Sequence, residues 1–152
     1  LEALFVVSCI APGELQLHRF LPLTTIRRVV DNRSNDLTEI LSGAHLNRLA
    51  QKVSIHHAHE LVRQTRPRIT TMLEYAVNQA EAQKSTVLAA AISAIKSPQQ
   101  VERERLRALA EVNPNIRPEE IRHVEGLAEQ LESHLAGAQL RLDAIRVAMV
   151  AE

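Results

Sequence analysis

Histidines and arginines carry most of the chemistry open to this chain. His56-His57-Ala58-His59 followed by Glu60 is the densest group of potential metal ligands. Zinc needs side chains that converge on one point. On a helix, residues three apart share a face and adjacent residues do not, so His56 and His59 align while His57 points elsewhere. No second ligand pair follows at helical spacing, and the cluster reads as a solvated face, with no metal site expected. His18, His45, His123 and His134 are isolated from one another in sequence.

The arginines fall into three groups: Arg27, Arg28 and Arg33; Arg63, Arg66 and Arg68 around Pro67; and Arg103, Arg105 and Arg107. The last group is interleaved with Glu102, Glu104 and Glu111, the pattern of an exposed helical surface carrying ion pairs. The middle group lacks such interleaving, which makes Arg63, Arg66 and Arg68 candidates for contact with a polyanion or an acidic partner. Met72 and Ala76, on the apolar stripe just beyond them, are candidate contact residues for a protein partner.

Covalent catalysis has no visible machinery. With four glycines in 152 residues there is no phosphate-wrapping loop and no dinucleotide fingerprint. No nucleophile elbow or Cys/His arrangement appears. Cys9 is the single cysteine, so an internal disulfide is excluded and a reducing compartment, the cytoplasm, is expected. Eighteen basic and 18 acidic residues balance, which argues against a globally basic nucleic-acid binder. Aromatics at 2% supply no stacking platform for single strands. No run approaches the length of a membrane span.

The elements that position these groups follow from periodicity. Residues 3–10 are dense in apolar and β-branched types and stop at Pro12-Gly13, giving a strand and a turn. Leu15, Leu17 and Leu21 sit at alternate positions and predict a second strand, and Thr24–Val30 a third. From Gly43 the period becomes helical. Leu46 and Leu49 give a short helix, and Ser54 caps a second. Ile69, Met72, Leu73, Ala76, Val77 and Ala80, then Val87, Leu88, Ala91, Ile92 and Ile95, keep three- and four-residue spacings in a long amphipathic helix. Pro67 and Pro98 are expected to kink or break it. Residues 112–117 form an extended loop, since Asn113 and Arg117 each precede proline. Pro118, Glu119 and Glu120 open a further helix, whose stripe Ile121, Val124, Leu127, Leu131, Leu135 and Ala138 is expected to pack antiparallel on the long one. After Gln139 a terminal strand, with Ile145, Val147 and Met149 on one side, returns to the N-terminal sheet. A parity switch between Leu142 and Ile145 suggests a bulge, or a helix ending near Asp143.

The expectation is an α+β fold: a three- or four-stranded antiparallel sheet built from both chain ends, residues 1–36 and 140–152, with a long helical hairpin in 43–139. Residues 1–152 read as one domain, and the strand-like start at Leu1 suggests a piece of a longer chain.

Several segments resemble one family in matching order: Glu2-Ala3-Leu4-Phe5-Val6, Arg19-Phe20-Leu21-Pro22, Ile26-Arg27 with Val30-Asp31, Asp36-Leu37-Thr38, and Val112-Asn113-Pro114-Asn115-Ile116-Arg117 leading to Arg141-Leu142-Asp143-Ala144-Ile145-Arg146. The chain thereby resembles the C-terminal end of the RapA family, bacterial RNA polymerase-associated ATPases of the Swi2/Snf2 helicase superfamily. The resemblance implies a parent with a two-lobed ATP-hydrolysing motor using ATP and magnesium, RNA polymerase as partner, a role in polymerase recycling during transcription, and room for DNA contact by the parent. It implies that this chain is a non-catalytic accessory domain, with no cofactor of its own, docking on the motor or on polymerase. Two rival readings are a stand-alone helical module that oligomerises through its hairpin, and a nucleic-acid-binding domain using the arginine groups.

Overall fold

The structure is a computed structural model, described over residues 1–113 and 117–149. In chain order the elements are β1 (Glu2–Ser8), two 3-10 turns (Gly13–Leu15 and Leu17–Arg19), β2 (Thr24–Val29), α1 (Gly43–Leu49), α2 (Ile55–Val112), α3 (Pro118–Ala136) and β3 (Gln139–Arg146). The α+β class stands, with a three-stranded sheet ordered β2-β1-β3. The last strand does return to the first, at the sheet edge opposite β2.

The chain divides into two compact units. One comprises Leu1–Val6, Thr25–Gln83 and Leu140–Glu152, and the other Val7–Thr24 and Lys84–Gln139.

The sheet, most of which lies in the first unit, is set by its central strand. β1 alternates strictly, with Ala3, Phe5 and Val7 buried and Glu2, Leu4, Val6 and Ser8 half-buried, as a strand with both faces partly covered must. Leu1 and Val30 exchange both backbone bonds at 2.8 Å, which pins β1 and β2 in antiparallel register. Beyond β2 the chain turns on Asp31, whose Oδ1 accepts from the Arg33 and Asn35 amides at 2.8 Å each. The first half of α2 presents Met72, Ala76 and Ala80, four apart and all buried, to this sheet. Arg28 of β2 reaches that helix, donating to the Gln79 carbonyl at 3.4 Å and to Gln83 Oε1 at 2.7 Å.

In the second unit α3 runs antiparallel to the later half of α2. Lys96 pairs with Glu132 at 3.1 Å, while Arg103 and Arg107 both reach Glu125, at 3.8 and 3.0 Å. The buried residues of this unit include Ala91, Ile95 and Leu106 from α2 and Leu131 and Leu135 from α3, with Ala138 following. Arg117 is extended (φ −88°, ψ 142°) before Pro118, as the proline ring requires. The remainder of the expected 112–117 loop lies mostly outside the described residues. Cys9 is half-buried, and its thiol donates to the His134 carbonyl at 2.8 Å, in the last turn of α3.

Three expectations are corrected. Residues 15–21 are not a strand: Leu17 and Leu21 are the buried pair, and the Leu21 amide donates to the Leu17 carbonyl at 2.9 Å. Their operative spacing is four, and the alternation is incidental. Neither Pro67 nor Pro98 interrupts α2. Both rings are exposed, so water can satisfy the carbonyls left without amide partners, while buried residues in both halves hold the helix in place. Finally, α3 ends at Ala136 and β3 is one uninterrupted strand. As an edge strand it leaves Ile145 at 48% exposure, and Met149, beyond its end, is 54% exposed, so the expected apolar side is not a core face.

Candidate partner-binding surface

The three arginine groups have separate uses. In the first, Arg27 and Arg28 are structural. Arg27 Nε donates to Glu2 Oε1 at 2.5 Å, and its other nitrogens donate to the carbonyls of Thr38 (3.3 Å) and Leu41 (2.6 Å). Arg146 of β3 donates to the other Glu2 oxygen through Nε at 2.7 Å and to Asn47 Oδ1 of α1 at 2.5 Å. The Glu2 side chain, 11% exposed, thus joins all three strands, and a Cβ added at Gly43 would lie 4.0 Å from its Oε1. Burial pushes this carboxyl up, but hydrogen bonds and charge from Arg27 and Arg146 outweigh burial and hold it below its ordinary value. This three-residue junction was not anticipated. Its sequence signal is a lone carboxylate in an otherwise apolar strand, opposite a strand carrying arginine.

The third group is likewise committed within the chain. Arg105 forms a two-pronged pair with Glu102 at 2.9 and 2.7 Å, and Arg103 and Arg107 reach across to α3 as described.

The middle group is different. Residues 40–73 contain Arg48, Lys52, Arg63, Arg66 and Arg68 against Glu60 alone, together with His45, His56, His57 and His59. Five cations against one anion give this segment a charge of +4 with neutral histidines, in a chain whose total is zero. No residue from Gly43 to Thr71 is buried. Arg63 pairs with Glu60 at 2.8 Å, so the expected absence of interleaving fails at that one position. Among the described residues the guanidiniums of Arg66 and Arg68 have no hydrogen-bond or ion-pair partner. At 100° per residue, His56, His59, Arg63 and Arg66 follow spacings of three, four and three and form one outward strip, while Arg68 falls on the other flank. His57 is occupied at the helix start, its Nδ1 lying 2.8 Å from Ser54 Oγ.

Met72 and Ala76 do not belong to this surface. They are 9% and 0% exposed, because the helix stripe that carries them faces the sheet. The apolar groups that stand in the open lie earlier: Leu49, Val53, Ile55 and Val62 at 66, 61, 66 and 46% exposure. Ile55 and Val62 flank the basic strip on α2. The result is a mixed basic and apolar face within residues 40–73, suited to a macromolecular partner. Among the described residues, no three His, Cys, Asp or Glu side chains are grouped to hold a metal, and no helix is long and apolar enough to cross a membrane.

Comparison with known proteins places this architecture. The family described as RNA polymerase recycling family C-terminal matches residues 1–150. The RNA polymerase-associated protein RapA of Erwinia tasmaniensis is 37% identical over 149 residues, covering 98% of this chain and 15% of that protein. RapA of Pectobacterium carotovorum is likewise 37% identical over 149 residues, with the same coverage. RapA of Photobacterium profundum is 33% identical over 150 residues, covering 99% of this chain and 15% of its own length. This chain therefore spans about 15% of the length of these relatives, and by the match over 1–150 it belongs to the RNA polymerase recycling family, as one of its C-terminal domains.

Proposed function

We propose that this chain is the non-catalytic accessory domain of an RNA polymerase-associated protein and that it works by protein contact. The observation that carries the reading is the family match over nearly the whole chain, to relatives whose printed name is RNA polymerase-associated protein. The exposed basic and apolar face within residues 40–73, on which Arg63 alone of the three arginines is paired, is the surface available for such contact. RNA polymerase is the proposed external partner, and the motor of the parent is the proposed internal one. ATP and magnesium would act in that motor, in the bacterial cytoplasm, where Swi2/Snf2-type hydrolysis would drive recycling and any contact with DNA would be made.

The test uses immobilised chain and purified bacterial RNA polymerase. Saturable capture is expected, with a salt slope well below that of a protein neutralising many phosphates. No capture at micromolar polymerase, or a steep slope accompanied by tighter retention of DNA, would overturn the reading.

A further inference from the structure

The exposed start of α2 carries a repeat. Ile55 and Val62 are seven apart and exposed, His59 and Arg66 repeat that spacing on one side, and His56 and Arg63 repeat it next to them. Seven residues are two helical turns, so each pair stacks along the axis in its own strip. Ala58, Thr65 and Met72 repeat the same seven-residue step on the side that is half-buried or buried within the unit. The chain therefore covers one side of an apolar seam and leaves the other open, edged by cationic groups.

We infer that the ridge formed by Ile55, His59, Val62, Arg63 and Arg66 seats an acidic amphipathic helix of a protein partner. Apolar residues of the incoming helix, repeating at heptad spacing, pack on Ile55 and Val62, and its flanking carboxylates meet Arg66, Arg63 and His59. Charge decides the sign of the partner: Glu60 is the lone acidic residue between Glu39 and Glu74, and it is already held by Arg63. The apolar strip decides the class. A phosphate backbone offers nothing to two exposed aliphatic side chains, and the aromatics that would stack on bases are inside or half-covered, Phe5 being buried and Phe20 and Tyr75 half-buried. The inference deepens the reading of the chain as a protein-contact domain and rests on it.

The test is fluorescence anisotropy of the intact chain with a labelled synthetic helix of about 21 residues, leucine at the core heptad positions and glutamate at the flanking ones. The label is kept at nanomolar concentration so that the peptide stays monomeric. The expected result is saturable binding, weakened about tenfold by Val62→Asp and by Arg66→Glu. All these positions are exposed, so circular dichroism and melting should be unchanged. The double variant Arg63→Glu/Arg66→Glu should exchange its preference for a peptide with lysine at the flanking positions. Equal binding of the lysine peptide by the unaltered chain, indifference to the ridge variants, or tighter binding of single-stranded poly(U) than of the acidic peptide would each overturn the inference. Polymerase capture is measured beside it. Capture that survives reversal of the ridge charges would overturn the ridge assignment and leave the accessory-domain reading standing.

Discussion

Glu2→Gln should destabilise the first unit well beyond an ordinary surface change, and the structure gives the size of the effect. The carboxylate accepts charge-assisted bonds from Arg27 and Arg146, each worth about 1.5–3 kcal/mol when the acceptor is charged and shielded. The two arginines are 23 and 35% exposed, and both keep other acceptors: Arg27 the Thr38 and Leu41 carbonyls, Arg146 the Asn47 amide oxygen. Neither is orphaned, so the loss is discounted to about 2–3 kcal/mol. For a chain of this size that corresponds to a fall in Tm of about 4–10 °C. Because the folded carboxyl titrates below its ordinary value, its stabilisation is complete above the unfolded-state value and disappears as pH falls through the folded one. Urea melts at pH 7 and at intervals down to pH 3 should therefore show the natural chain losing stability faster than the variant, with the two converging in acid. A cycle with Arg146→Met should give a coupling of about 1 kcal/mol. Equal midpoints at pH 7, or parallel pH profiles, would show that the three-strand junction contributes nothing and that the sheet is held by its apolar face alone.

Other perturbations test the remaining packing. Leu135→Ala and Ile95→Ala, both fully buried, should each cost about 2–5 kcal/mol in chemical denaturation. Pro67→Ala and Pro98→Ala should raise stability by about 1–3 kcal/mol and strengthen the helical dichroism signal, since each restores an amide within α2; a loss of stability would show that the helix is bent on purpose there. Deleting residues 145–152 removes Arg146 and the end of β3, and among the described residues of that segment no buried side chain. It should lower the urea midpoint about as much as Glu2→Gln does, leaving a cooperative transition; complete unfolding would mean that this segment carries more than its junction with Glu2.

Much of the fold was legible because it depends on short-range pattern. The dense apolar run from Ala3 to Ile10, the Pro118-Glu119-Glu120 helix start and the four-residue spacing of Met72, Ala76 and Ala80 all declare themselves locally. What was misread needed knowledge of partners. Leu15 to Leu21 satisfies both a two-residue and a four-residue period, and only burial of Leu17 with Leu21 decides between them. Exposed prolines look like breaks until tertiary packing on either side of them is known. The junction of Glu2, Arg27 and Arg146 spans 144 positions and exists only once β1 stands between β2 and β3. The candidate surface was half legible. The arginines around Pro67 stood out by charge, whereas Met72 and Ala76 were misplaced because periodicity marks an apolar stripe without saying whether the chain's own sheet covers it.

Hydrogen exchange of the chain with and without bacterial RNA polymerase tests the central claim most directly, since it reports whether this domain meets polymerase and where. The account predicts added protection in residues 55–68, at the open start of α2, with the Ile95 and Leu135 regions unchanged. Uniform exchange at saturating polymerase, or protection confined to β3 or to α3, would contradict it.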